Sequence, residues 1–94
     1  MKQTDKQERI AYLFETIAAI DNAEDCRALF DDLCTVNELN NMAERAYAAK
    51  LLMEGMTYNQ IMSQLDISSA TLSRVSRCVQ CGKGYSRFIK KDEE

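Results

Sequence analysis

Residues 57–79 read TYNQIMSQLDISSATLSRVSRCV and contain two short helical patterns separated by a brief turn. Apolar residues recur every three or four positions, so each predicted helix has one apolar side, formed by Ile61, Leu65, Leu72 and Val75. Ile67 adds an apolar side chain within the turn. Because these positions would pack the two helices against each other, the stretch predicts a helix-turn-helix over residues 57–80.

The second helix of this motif begins with small or hydroxyl-bearing side chains, which would let its N-terminal end enter a DNA major groove. Thr71 is the residue we most expect at a base edge. Arg74 and Arg77 lie further along the helix, where they could neutralise phosphates. The predicted DNA-binding residues are Asn59, Gln60, Ser68, Ser69, Ala70, Thr71, Ser73, Arg74 and Arg77. The alternative is an ordinary helical hairpin in which Ser68 only caps a helix.

The charge of the chain is divided unevenly. The formal net charge is −3, which by itself argues against a nucleic-acid binder. Residues 1–56 hold eleven acidic and six basic residues, whereas residues 68–91 hold six basic residues and no acidic one. The basic segment therefore favours DNA binding by the C-terminal half, although chance clustering on a solvated surface would give the same pattern.

Capping patterns divide the rest of the chain into helices. Capping boxes are predicted at Thr4-x-x-Gln7, Thr35-x-x-Glu38 and Thr57-x-x-Gln60. Asn22 is placed to cap a second helix, and Gly55 to end a long third helix over residues 36–54. Residues 83–94 look like a basic and then acidic tail, partly unordered, and Asp66 is expected to adopt a left-handed turn conformation. The sequence thus predicts an all-α fold of five to six helices.

The sequence lacks the residues that several functional classes of protein require. There is no His, no phosphate-binding loop and no recognisable carboxylate pair, so we expect neither an enzyme nor a cofactor. Cys78 and Cys81 form a CxxC without a completing ligand set, so we expect no metal. No apolar run approaches the roughly 20 residues that span a bilayer, and the N-terminus is too polar for a secretory signal. A cytoplasmic protein without membrane contact is expected.

Three stretches together resemble the Trp repressor superfamily, and more closely the YerC/YecD family of Trp-repressor-like proteins. They are DDLCT at 31–35, AERAYAAKLLMEGMTYNQI at 43–61 and SSATLSRVSRC at 68–78. The resemblance covers roughly residues 10–82 and implies a single domain over 1–82, an intertwined homodimer and a bacterial transcriptional regulator. The two recognition helices of such a dimer would lie about 34–36 Å apart on a palindromic operator. The apolar faces of the first two helices weakly support a dimer on their own.

The same resemblance implies a pocket for a small effector. Thr35, Arg45 and Arg74 match residues that hold tryptophan in the Trp repressor, whereas Val75 stands where that protein has a glycine. A valine there should fill part of the indole slot, so we predict that free tryptophan does not bind and leave any other effector open. Arg45 has an alternative role as the partner of an acid such as Glu44, and Arg74 as a phosphate contact.

Two functions compete on these observations. The first is a sequence-specific DNA-binding regulator, a repressor by resemblance, whose partners are double-stranded DNA and a second copy of itself. The second is a protein-interaction module that keeps the fold without binding DNA, which the acidic first half favours. The salt dependence of binding separates them, because only a DNA complex releases counterions from phosphates.

Overall fold

The computed structural model describes residues 3–90, and this part of the chain contains six α-helices joined by short loops. They are α1 (Lys6–Ala18), α2 (Ala23–Leu33), α3 (Val36–Met53), α4 (Tyr58–Gln64), α5 (Ser69–Cys81) and α6 (Tyr85–Phe88). No strand occurs within residues 3–90, and the predicted all-α fold of five to six helices is confirmed. The helices belong to two compact units, one ending at Val36 and the other beginning at Asn37.

The first helix begins one residue later than its sequence pattern indicated. The side chain of Asp5 accepts a hydrogen bond from the Glu8 backbone N–H at 2.8 Å, so Asp5 is the N-cap. The predicted capping role of Thr4 is wrong, and Thr4 instead accepts hydrogen bonds from Arg9 Nη1. A carboxylate at the N-cap satisfies a free backbone N–H and also interacts favourably with the positive end of the helix dipole, which gives Asp5 the advantage.

The helices of the first unit leave several of their large apolar side chains exposed. Neither α1 nor α2 contains a buried residue, although Asn22 caps α2 as predicted by accepting from the Asp25 backbone N–H at 2.7 Å. Phe14 is 62% exposed and Leu33 is 50% exposed. Apolar stripes of this kind normally face a core. Within the first unit of one chain, these stripes form no fully buried core.

The core of the second unit joins three helices. It consists of Ala48, Ala49 and Leu51 from α3, Ile61 from α4, and Leu72 and Val75 from α5. Leu65 and Ile67 are partly buried against it. The apolar positions that predicted the helix-turn-helix therefore do pack together, and they pack on the end of α3. Ala48 and Ala49 are fully buried, and their small side chains let the helices approach closely.

Gly55 ends α3 in the way its position predicted. It has φ +90°, the only positive φ among residues 3–90. Its N–H donates to Leu52 O at 3.0 Å, and the N–H of Met56 donates to Leu51 O at 3.1 Å. These two bonds form a Schellman motif, which satisfies carbonyls that the helix end leaves free. The sharp stop brings α4 back over the core within a few residues.

The expected C-terminal tail begins with an ordered helix. Tyr85–Phe88 form α6, and Tyr85 and Ile89 are half-buried against the core of the second unit. The prediction of a polar, partly unordered tail is therefore wrong for residues 85–89, because these two apolar side chains are spaced four apart and reach the core together. The acidic end of that predicted tail lies outside the described residues.

Candidate nucleic-acid interface

A complete capping box starts α4, the first helix of the motif. The Thr57 backbone N–H donates to Gln60 Oε1 at 2.8 Å, and the Gln60 backbone N–H donates to Thr57 Oγ1 at 3.2 Å. The predicted box is confirmed, and Gln60 Oε1 is therefore engaged within the protein. Asn59 is exposed beside it and leaves its whole carboxamide available. Tyr58 shares the apolar spacing of Ile61 and Leu65 but is 37% exposed.

The turn between α4 and α5 is built from ordinary backbone conformations. Leu65 closes α4 with φ −120° and ψ 147°, and Ser68 opens α5 with φ −74° and ψ 157°. Among residues 3–90 no residue other than glycine has a positive φ, so the left-handed conformation expected of Asp66 is not adopted. The turn is extended at both ends, and it therefore does not need the conformational freedom of glycine.

Ser68 and Thr71 form a closed pair at the N-terminus of α5. Ser68 Oγ accepts from the Thr71 backbone N–H at 3.1 Å and donates to Thr71 Oγ1 at 3.0 Å. Ser68 thus acts as the helix cap. Thr71 is half-buried and its hydroxyl hydrogen is free to donate outward. Ser69 and Ala70 are exposed at the tip of the helix, where small side chains allow close approach to another surface.

The two sides of α5 differ sharply in character. Leu72 and Val75 are 0% and 1% exposed and hold the helix on the core. Ser73, Arg74 and Arg77 are exposed on the remaining surface. No acidic residue occurs anywhere in α5. The helix therefore presents a narrow hydroxylic tip followed by two guanidinium groups, with its orientation set by the buried side chains.

A polar cavity of about 190 Å³ lies behind the tip of α5. Its lining residues are Asn41, Glu44, Arg45, Asp66, Ile67, Ser68 and Thr71. Glu44 Oε2 is fully buried and has no hydrogen-bond partner among residues 3–90, so this oxygen does not pair with Arg45. Asn41 and Asp66 share this surface only once α3 and the turn have packed together, so their sequence positions alone do not indicate it.

A second cavity tests the pocket that the resemblance implied. It has a volume of about 260 Å³ and is lined by Arg45, Arg74, Val75, Cys78 and Tyr85. Arg45 and Arg74 therefore line one cavity of the second unit, and Thr35 belongs to the first unit. Val75, which was expected to fill part of this slot, is buried in the core and forms part of the cavity wall. Tyr85, which the sequence did not implicate, forms another wall.

Comparison with known proteins identifies the family. The family model for the Trp repressor protein matches residues 8–93. The chain belongs to the Trp repressor family. It is 44% identical over 83 residues to the uncharacterized protein YerC of Bacillus subtilis (strain 168), covering 87% of this chain and 80% of YerC. The resemblance stated from the sequence is therefore confirmed for the greater part of the chain.

Solved structures of the Trp repressor family share the fold. A candidate Trp repressor from Staphylococcus aureus aligns with a TM-score of 0.79 at 34% identity, covering 95% of this chain and 100% of that one. A TrpR-like protein from Eubacterium eligens ATCC 27750 aligns with a TM-score of 0.81 at 32% identity, covering 92% and 96%. The Trp-repressor-like arrangement of helices is thus shared across bacterial relatives that differ at about two thirds of their positions.

Two other kinds of site are not found in the described part of the chain. Within residues 3–90, no three side chains of His, Cys, Asp or Glu converge as a metal-binding group. In the same range, no helix is both long and apolar enough to cross a membrane. Cys26, Cys34, Cys78 and Cys81 are all free thiols.

Free tryptophan is expected not to bind this member of the Trp repressor family. Val75 and Tyr85 both form walls of the cavity beside Arg45 and Arg74, so we expect too little room for an indole ring unless one of them moves. Displacement of that kind in a packed site costs roughly 1–3 kcal/mol. Isothermal titration calorimetry of the purified protein with tryptophan should give no saturable heat. A saturable signal in the micromolar range would contradict this prediction.

Proposed function

We propose that the protein is a homodimeric, sequence-specific DNA-binding transcriptional regulator with α5 as its recognition helix. The observation that carries this proposal is the outer surface of α5. Its tip is small and hydroxylic, and Arg74 and Arg77 follow on the exposed side. In helix-turn-helix proteins the N-terminal residues of the second helix contact base edges while basic residues contact the phosphate backbone.

The charge distribution supports the same surface. The whole chain has a net charge of −3, yet residues 68–90 contain no acidic side chain. A phosphate backbone is attracted by the local potential, which is positive along this segment, and is repelled by the acidic first half. DNA would therefore approach from the side of α5. Asn59, exposed at the start of α4, would contact a phosphate or an outer base.

A second copy of the chain is the proposed partner of α1 and α2. Neither helix buries a residue within a single chain, and Phe14 and Leu33 are each at least half exposed. Short helices are marginal in water without tertiary packing, so these two helices need an apolar surface to cover their stripes. An intertwined homodimer fits this fold, and it would place two copies of α5 on a palindromic operator.

Repression is the proposed direction of regulation, and it rests on family membership. The matching family model describes a repressor protein. A dimer bound across an operator blocks access to that DNA. We propose that tryptophan is not the signal, because Val75 and Tyr85 occupy the walls of the corresponding cavity. The spacing of the two recognition helices would then be set by packing, or by a different effector.

Selection from random duplexes tests the proposed function directly. The purified protein is passed through repeated rounds of selection, and the affinity for the winning duplex is then measured at two salt concentrations. A palindromic motif with half-sites one helical turn apart and a steep salt dependence supports the regulator. No enriched motif at low salt, together with salt-insensitive binding of a protein from cell extract, supports a protein-interaction module instead.

Arg77→Gln is expected to weaken binding to all duplexes alike. Because Arg77 would neutralise a phosphate, its loss should reduce the slope of log K against log salt by about 1. Thr71→Ala is expected to act differently, by changing the preference at one base pair of each half-site at a nearly constant salt slope. Fluorescence anisotropy on the selected duplex and on single-position variants measures both effects.

Arg27→Gln is the matched control for the charge. Arg27 is an exposed arginine of α2 that pairs with Asp31 at 3.0 Å, and it lies in the other unit of the chain. Its removal changes the net charge equally and should leave the affinity within about twofold, because exposed pairs of this type contribute little. Equal losses from Arg27→Gln and Arg77→Gln would contradict the assignment of phosphate contacts to α5.

A further inference from the structure

The last turn of α5 places two thiols beside two guanidinium groups. Arg74, Arg77, Cys78, Cys81 and Gly82 line a cavity of about 270 Å³ on the surface of this helix. All of these residues are exposed except Cys78, which is half-buried, so the cavity opens to solvent. The proposed DNA contacts make use of the two arginines and leave the two thiols without a role.

Cys81 is the more accessible of the two thiols and the one able to react with a dissolved reagent. It is exposed and is the final residue of α5, whereas Cys78 also lines the cavity bordered by Arg45 and Tyr85. Two nearby guanidinium groups raise the local concentration of anions, and electrostatic steering of this kind accelerates association by about 10-fold or more. A disulfide that carries carboxylates would therefore be drawn to Cys81.

We propose that Cys81 is a site of S-thiolation by anionic low-molecular-weight disulfides. The Cys81 thiolate attacks one sulfur of the small disulfide, a new S–S bond joins Cys81 to that half, and the other half leaves as a thiolate that takes up a proton. The disulfide is the oxidant and is consumed in a 1:1 reaction. The carboxylates of the bound half then lie beside Arg74 and Arg77.

Helix geometry favours this adduct over a bond between the two cysteines. Residues three apart on a helix have Cβ atoms about 5–6 Å apart, whereas a disulfide requires about 3.5–4.5 Å. The turn is also held by a 2.8 Å hydrogen bond from the Gly82 N–H to Cys78 O. The backbone of Gly82 lies so close to Cys78 that a Cβ atom at position 82 would be only 2.6 Å from the Cys78 carbonyl oxygen. An internal disulfide would have to open this turn, whereas an adduct on Cys81 leaves it intact.

The adduct would regulate the proposed function, and this consequence rests on that function. Arg74 and Arg77 are the arginines assigned to phosphates, and carboxylates attached at Cys81 would compete for them. S-thiolation should therefore lower DNA affinity for every sequence, and reduction by a dithiol should restore it. A regulator of this kind would release its operator when small thiols become oxidised.

The chemical test compares an anionic with a cationic disulfide. The full chain is incubated with glutathione disulfide or with cystamine, and the rate at each cysteine is followed by peptide mass spectrometry. For each cysteine, the rate with glutathione disulfide is divided by the rate with cystamine. We expect this ratio to be at least about 10-fold larger for Cys81 than for Cys26. Cys26 is a fitting comparator because Glu24 and Asp25 precede it in α2. The preference should disappear at high salt and in the Arg74→Gln/Arg77→Gln double variant.

Each result of these experiments either supports or overturns the thiolation of Cys81. Loss of the preference at high salt in the unmodified chain supports the proposal even where the double variant folds poorly. The proposal is overturned if Cys81 and Cys26 show the same ratio of rates for the two disulfides. It is also overturned if a Cys78–Cys81 disulfide is the main product. In the DNA arm, glutathione disulfide should weaken binding by the wild type and leave Cys81→Ser unaffected. If the reduced chain binds no duplex, the proposed function fails, while the site-specific thiolation stands or falls on the rates alone.

Discussion

Leu72→Ala is expected to lower the free energy of unfolding by about 2–5 kcal/mol, which is a large part of the total for a small domain. Leu72 is 0% exposed and lies in the core shared by α3, α4 and α5, so its truncation leaves a cavity at the centre of the helix-turn-helix. For a chain of this size the melting temperature should fall by roughly 10 °C or more. Chemical denaturation at a fixed protein concentration measures the loss.

Ser73→Ala is the matched control on the same helix. Ser73 is exposed next to Leu72 and makes no core contact, so its substitution should change stability by no more than about 0.5 kcal/mol. A fixed concentration is necessary because the proposed dimerisation would add to the apparent stability. A loss below about 1 kcal/mol from Leu72→Ala would mean that the packing of α5 on the core is not what holds this unit together.

Phe14→Glu is expected to convert the proposed homodimer into monomers. Phe14 belongs to the apolar stripe of α1 and is 62% exposed in a single chain, so a second copy should cover it. A glutamate there would lose its hydration on assembly without gaining a partner, and the dissociation constant should rise at least about 100-fold. Sedimentation velocity over a range of micromolar concentrations measures the change.

Tyr12→Glu provides the control for this interface. Tyr12 is also an aromatic residue of α1 and is 72% exposed, but it lies outside the stripe to which Phe14 belongs. The same introduced charge should therefore leave the protein dimeric. If Phe14→Glu sediments as the wild type does, the N-terminal helices are not the dimer interface, and the exposed stripe must be covered in another way.

The elements that sequence analysis predicted well are those in which a local signal and a tertiary contact agree. The capping box of α4 depends on residues three apart, and Gly55 ends α3 through bonds that reach back only a few residues. Ile61, Leu72 and Val75 were expected to pack because their spacing and their apolar character specify the same faces. Where such local preferences and the tertiary packing favour the same structure, the structure can be predicted from the sequence.

The errors arose where two neighbouring residues could serve the same purpose, or where a distant partner decided the outcome. Asp5 and Thr4 both carry an oxygen suited to an N-cap, and only the structure shows that Asp5 holds the position. Tyr58 follows the apolar spacing but stays exposed, because the neighbouring core is already filled by Ile61 and the alanines of α3. Tyr85 was assigned to the predicted C-terminal tail, whereas in the structure it belongs to α6 and packs against the core.

The sequence by itself determined the helical fold, its membership of the Trp repressor family, the helix-turn-helix and the basic character of its second helix. The helices and the basic segment follow from residue spacing and charge along the chain, and the family follows from the resemblance of three stretches of sequence. Neither needs knowledge of distant contacts. The tertiary structure decided which of those residues share a surface. It joined Arg45, Arg74 and Tyr85 around one cavity, and Arg74, Arg77 and the two thiols around another. A cavity is formed by elements that meet only after folding, so its lining depends on packing and cannot be read from local pattern.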